Sequence, residues 1–212
     1  DAMRTRLADQ AKKAKALRAA EAKKAADKAD RCWRKYVPTG ESDYLARKGV
    51  KAYGLRFSPS GNGTVAVPML RDGRVVGLQI IRGKDRGNKL EKQYWPAGMD
   101  KVGAYHLIGG IPRGLVLVAE GYATAATLHE ATGLPVAVAF DAGSLMPVVA
   151  DLAQKYRTSK ILICADDDYL TPGNPGCEAA RLAATAHGAA WCSPKFSEER
   201  STTKKGPTDY ND

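Results

Sequence analysis

Cysteine is scarce and scattered: Cys32, Cys164, Cys177 and Cys192 form no Cys-x-x-Cys pair in 212 residues. That spacing argues against a zinc ribbon and suggests no disulfide framework. The three histidines, His106, His129 and His187, show no metal-ligand spacing to one another and read as structural. No apolar run approaches the roughly 20 residues that cross a bilayer. The N-terminus is charged and lacks the apolar stretch of a signal peptide, so a cytosolic (cytoplasmic) protein with no membrane partner is expected. Glycine and proline are missing from the first thirty-odd residues, and there is no internal repeat.

Charge of one sign is what the chain has in excess. Its formal net charge is +10, which favours a polyanionic partner such as nucleic acid or nucleotide phosphate, or serves solubility alone. Eleven of the first thirty residues are Ala, interleaved with Lys, Arg, Asp and Glu. That mixture predicts a helix over residues 1–34. Apolar anchors are few beyond Leu7 and Leu17, so the helix has no wide hydrophobic stripe. It reads either as a solvated linker or as a basic helix lying on nucleic acid.

From Trp33 to Pro112 the texture changes. Tyr44–Val50 reads as a short helix closed at Gly49. Gly63–Leu70 and Val75–Ile81 flank Asp72-Gly73, a strong hairpin signal. From Gly114 the pattern alternates. Strands are expected at Leu115–Glu120, Val136–Phe140, Lys160–Ala165 and Ala189–Cys192. Helices are expected at Ala123–Thr132, Met146–Tyr156 and Cys177–His187. Such alternation builds an α/β domain, a mostly parallel sheet flanked by helices, here preceded by a small α+β part. The expected division is 1–34, 35–112 and 113–212.

Two of those strands are continuous apolar runs that end in acid, Leu115–Ala119 before Glu120 and Ile161–Ala165 before Asp166-Asp167-Asp168. The carboxyl edge of a parallel sheet is where α/β proteins bind ligands. Carboxylates gathered there repel one another unless a cation sits among them, and hard oxygen donors suit Mg²⁺ or Mn²⁺. Two carboxylates separated by one residue cannot share a face in extended backbone, but the chain leaves the sheet at Asp166 and both can turn toward one ion. Asp167, between them, reads as a cap or a solvated carboxylate. Asp141, at the end of another strand, reads as an N-cap or as a helper to metal or nucleotide.

Glu120-Gly121-Tyr122-Ala123-Thr124-Ala125, Asp166-x-Asp168 and the closing Asp209-x-x-Asp212, in that order, resemble the TOPRIM domain of DnaG-type primases, topoisomerases and some nucleases. The first hexapeptide is most similar to primases of phages, plasmids and other mobile elements. Tyr44–Gly49, the Val67-Pro68 strand with its Asp72-Gly73-Arg74 hairpin, and Lys92-Gln93-Tyr94-Trp95-Pro96 with Lys101 resemble the preceding part of a primase core. The resemblance implies a DNA primase catalytic core that makes RNA primers from NTPs on single-stranded DNA by metal-dependent nucleotidyl transfer, working with a replicative helicase. It implies Glu120, Asp166 and Asp168 as catalytic residues, and these three with Asp209 and Asp212 as ligands of Mg²⁺ or Mn²⁺. Glu120 can be a ligand or a general acid/base. Gly121 would let backbone approach phosphate at a helix N-terminus. Arg74, Arg82, Lys84, Lys89, Lys92 and Lys101, with Tyr94 and Trp95 among them, would form the nucleotide and single-strand surface. A metal-dependent TOPRIM nuclease and a non-catalytic single-strand-binding module are the rival readings. The region from Tyr44 to Leu107 counts against the nuclease, which would not require it. Divalent-ion binding that stabilises the fold and is lost in Asp168→Ala would count against the binding module.

Overall fold

The computed structural model describes residues 2–83, 92–196 and 206–212. Two sheets organise it. Helix α1 (Ala2–Lys35) and α2 (Asp43–Lys48) precede an antiparallel sheet ordered β1-β2-β3-β4, made of Arg56–Phe57, Val65–Arg71, Arg74–Ile81 and Lys92–Trp95. The second sheet is ordered β5-β7-β6-β8-β9. Its strands are β5 (His106–Ile108), β6 (Leu115–Ala119), β7 (Val136–Val138), β8 (Lys160–Cys164) and β9 (Ala190–Cys192). Helices α3 (Tyr122–Thr132), α4 (Leu145–Lys155) and α5 (Pro175–His187) connect its parallel members.

The expected hairpin is present. Asp72 and Gly73 both take positive φ, the requirement of a two-residue turn between Arg71 and Arg74. Pro68, which has no N–H to donate, is tolerated in β2 because β1 covers only Val65 and Ala66, leaving Pro68 on an open edge.

Strand β6, and β8 after its exposed Lys160, are apolar throughout because both faces of their sheet are covered. Val116 and Val118 pack with α4 and α5, through Leu145, Val148, Leu152, Ala180 and Ala183. Leu117 and Ala119 face the other way, into a core shared with α3 and with Val65, Val67, Met69 and Ile81 of the first sheet. The far face of that first sheet carries α1. Ala29 lets the helix approach closely over Ala66 and Leu78, with Trp33 and Trp95 at the margins. The N-terminal two thirds of α1 is exposed, Leu7 and Leu17 included.

The structure differs from expectation at short elements. β5 and β4 were not foreseen as strands, and β5 runs antiparallel on the edge of the otherwise parallel sheet. Helix α5 begins at Pro175, two residues before the expected start, because Asn174 caps it and Pro at the first helical position loses no hydrogen bond.

Tyr122, at the start of α3, ties that helix to the loop that precedes β1. Its hydroxyl accepts the Tyr53 N–H at 2.6 Å and donates to the Lys51 carbonyl at 2.9 Å, and the ring is buried. Tyr122→Phe leaves the part-buried Tyr53 N–H and Lys51 carbonyl without this partner, so a stability loss of about 1 kcal/mol is expected. A denaturant midpoint within error of the wild type would refute this bridge.

Candidate active site

Strands β6 and β8 are parallel neighbours with Ala119 opposite Cys164, so Glu120, one residue on, and Asp166, two residues on past Ala165, emerge at the same edge. β7 flanks β6 on its other side with Val138 opposite Ala119 and leads to Asp141. Three adjacent strand ends therefore present carboxylates to one edge.

The turn after β8 is held by Asn174. Its carbonyl oxygen accepts the Asp168 N–H at 2.9 Å, and its amide donates to Asp167 Oδ1 at 2.6 Å. Asp167 is thereby turned aside into a structural bond. The C-terminal segment is pinned to the same turn by the Asp167 N–H donating to the Thr208 carbonyl at 2.7 Å. Tyr210 donates to Cys192 Sγ, and Asn211 donates to the Lys48 carbonyl and to Thr127 Oγ1. These anchors set Asp209 and Asp212 against the strand ends.

The result is a cavity of about 510 Å³, lined by Lys48, Lys92, Gly121, Thr124, Asp166, Asp168, Thr208, Asp209 and Asp212. Glu120 Oε1 and Asp166 Oδ1 are buried beside it with no hydrogen-bond partner. Burial, then the charges of Asp166, Asp168 and Asp141, push the Glu120 carboxyl up to about 8. Burial, Asp209 and Asp168 push Asp166 up to about 7, against the pull of Lys92. Asp212 goes the other way. Burial opposes it, but N–H donors from Thr208 and Asp209 and the nearby Lys48 ammonium hold its carboxyl below the usual range.

Among the described residues no group of three His, Cys, Asp or Glu stands ready to enclose a metal ion. Mg²⁺ does not need such a cage, since it takes one or two carboxylates and fills its remaining positions with water and substrate phosphate. Two orphaned buried carboxylate oxygens on adjacent strand ends, with acids from the C-terminal turn across the cavity, fit that donor set. Glu120 and Asp166 are the residues best placed to hold the ion, with Asp168 and Asp209 facing the same space.

The basic residues divide. In β4 the pleat sends alternate side chains to opposite faces. Lys92 lies over the Tyr44 ring at 5.5 Å and reaches the acidic cavity, while Trp95 faces α1, where Lys28 lies over its ring at 5.2 Å. Lys101 forms an ion pair with Asp141, beside the same strand edge. Arg74 and Arg82 stand on the α1 side of the first sheet, Arg74 in a groove with Lys23, Trp33 and Arg56, and Arg82 in a hollow with Tyr36, Gln93 and Trp95. Lys84 and Lys89 lie outside the described residues.

Sequence reasoning gave Lys48 no role as a cavity residue. It read Asn174-Pro175-Gly176 as a turn and helix start or a phosphate contact at its amides, not as the clamp of the acidic turn and a close approach to the acids. A Cβ on Gly176 would stand 2.4 Å from the Asp166 carbonyl oxygen and 3.1 Å from Glu120 Oε1. Lys48 did lie inside the Tyr44–Gly49 motif. Asn174 carried a signal too, in an Asn-Pro-Gly that reads as a helix start.

The Toprim domain family matches residues 115–212, the stretch that holds all five acids. Two Escherichia coli proteins called DNA primase TraC are 33% and 32% identical to this chain over 170 and 168 residues, 76% and 75% of its length. The chain spans only 16% and 11% of those relatives. The fold is similar to that of the primase fragment of the bacteriophage T7 primase-helicase protein, with a TM-score of 0.54 at 14% identity, over 82% of this chain and 68% of that one. Residues 115–212 are thus a Toprim domain, and about three quarters of the chain is similar in sequence to the TraC primases.

Proposed function

We propose that this chain is the catalytic core of a DNA primase of the kind carried by mobile elements, joining NTPs into short RNA primers on a single-stranded DNA template in the cytoplasm. The convergence of Asp166, Asp168 and Asp209 on one cavity, with Glu120 buried beside them, in a chain similar to primases over three quarters of its length, carries this reading. Residues 35–112 would be the primase-type subdomain and 113–212 the catalytic domain, working beside a helicase that supplies unwound template.

The reaction forms a bond from a primer 3′-oxygen to the α-phosphorus of an NTP and breaks the bond to the leaving pyrophosphate. Negative charge concentrates on the phosphoryl oxygens, so positioning and neutralisation dominate catalysis. Bound Mg²⁺ or Mn²⁺ supplies charge neutralisation at the attacking and leaving oxygens. Glu120, Asp166 and Asp168 would hold it, with Asp209 completing the cluster. Asp212 would brace the C-terminal turn through its hydrogen bonds and stand as a ligand through Oδ1. Should Asp166, Asp168 and Asp209 alone hold the ion, Glu120 would instead be the acid/base for the 3′-hydroxyl proton. Lys92 and Lys101 would contact phosphates, and Gly121 would admit them to the N-terminus of α3. Arg74, Arg82, Lys84 and Lys89 would serve the template.

The test is incubation with single-stranded DNA, labelled NTPs and Mg²⁺ or Mn²⁺. Template-dependent RNA products are expected from the wild type, reduced at least about 100-fold in Glu120→Gln and in Asp168→Ala. Metal-dependent shortening of the DNA without RNA products would assign the site to a nuclease instead.

A further inference from the structure

Asp141 lies on the strand end next to Glu120, yet its oxygens are already engaged. Oδ1 accepts the Ser144 hydroxyl at 2.8 Å, and Oδ2 accepts both the Tyr94 hydroxyl at 2.9 Å and the Lys101 ammonium. Tyr94 also donates toward the Phe140 carbonyl at 3.0 Å, and the Lys101 ammonium lies over the Tyr94 ring at 4.7 Å. Phe140 takes φ of +78°, a region bulky residues avoid unless their surroundings impose it. Strained backbone, a tyrosine from the other sheet and a serine thus converge on one carboxylate, and that carboxylate holds one lysine.

A carboxylate so engaged has little left to offer a metal ion. An ammonium has three donors, and Asp141 with the Tyr94 ring leaves part of this one directed elsewhere. The Lys101 side chain keeps 34% of its surface exposed. Lys92 reaches the cavity on the β8 side of Glu120, and Lys101 is held on the β7 side. Two cations therefore stand on either side of the central acid, and the several negative charges of a nucleoside triphosphate offer a partner to each.

We propose that Asp141, with Tyr94, is a positioning residue that fixes Lys101 for the triphosphate of the incoming nucleotide. This rests on the primase reading and adds to it a residue that touches neither substrate nor metal. Without Asp141 the lysine is a flexible point charge, and its contact with phosphate carries the entropy of ordering its stem.

The experiment measures the Kd of a fluorescent purine nucleoside triphosphate with Mg²⁺, alongside KM and kcat for primer synthesis. Asp141→Asn is expected to raise Kd and KM about tenfold while kcat falls less than about threefold. Lys101→Met raises them by at least as much. The double variant is no worse than Lys101→Met alone, because Asp141 acts only through that lysine. Tyr94→Phe, which spares the ion pair, raises KM about twofold to fourfold and guards against loss of fold in Asp141→Asn. A fall in kcat with unchanged KM and a higher Mg²⁺ requirement would make Asp141 a metal ligand and overturn the proposal, as would additive effects in the double variant. A wild type that binds the nucleotide but makes no primers removes the primase reading alone, and the Kd ratios still decide the role of Asp141. A wild type that binds no nucleotide overturns both.

Discussion

Gly176→Ala is expected to reduce primer synthesis by more than about 100-fold. Two effects compete. Alanine in place of glycine inside a helix is worth up to about 1 kcal/mol in propensity. Against that, the new methyl would stand 2.4 Å from the Asp166 carbonyl oxygen, a backbone atom that cannot rotate away, and 3.1 Å from Glu120 Oε1. Relieving such an overlap costs about 1–3 kcal/mol, so the steric effect wins and stability falls slightly. The larger consequence is positional. Helix α5 and the acidic turn must separate, and the Asn174 bonds to Asp167 and Asp168 tie that movement to the carboxylates. A displacement near 1 Å at a reacting centre costs roughly 100-fold in rate. Primer yield at saturating Mg²⁺, read beside the thermal midpoint, checks it. Wild-type yield from Gly176→Ala would mean that the close approach has no bearing on the site.

The sequence made the acidic edge legible because the physics there is local. A strand buried on both faces has to be apolar throughout, so Leu115–Ala119 and Ile161–Ala165 announce themselves, and acids that follow such runs must lie at the edge. Asp72-Gly73 was legible for the same reason, since few residue pairs tolerate two positive φ values. Strands β4 and β5 were not. With four and three residues they hold too few alternations for a period to emerge, and β5 exists because β7 offers it an edge. Arg82 and Lys92 belong to one basic stretch of sequence, yet the pleat of the sheet and the seat of α1 put them on opposite faces. Lys48 beside Asp212, and Lys101 against Asp141, are pairings across long separations that no local pattern encodes.

The metal-free protein should lose stability as pH rises from about 4 to 8, and divalent cation should restore it. Glu120 and Asp166 have ordinary values of 4.5 and 3.8 when unfolded, and the fold lifts them to about 8 and about 7. Between those limits the folded state binds more protons than the unfolded state, so unfolding free energy falls with rising pH. The stabilisation is complete below the unfolded values and gone above the folded ones. Mg²⁺ binds only the deprotonated carboxylates, so it competes with protons and stabilises more at pH 8 than at pH 5.5. Glu120→Gln keeps the shape and removes one titrating group. It should flatten the pH slope without metal and, having lost a ligand, gain less from Mg²⁺. Thermal midpoints in chelator and in millimolar Mg²⁺ across this range give all four curves. A midpoint in chelator that stays level from pH 5 to 8 would mean that the carboxylates are already neutralised by Lys48 and Lys92. The acidic edge would then carry its own counter-ions, with no cation needed to hold the strand ends together.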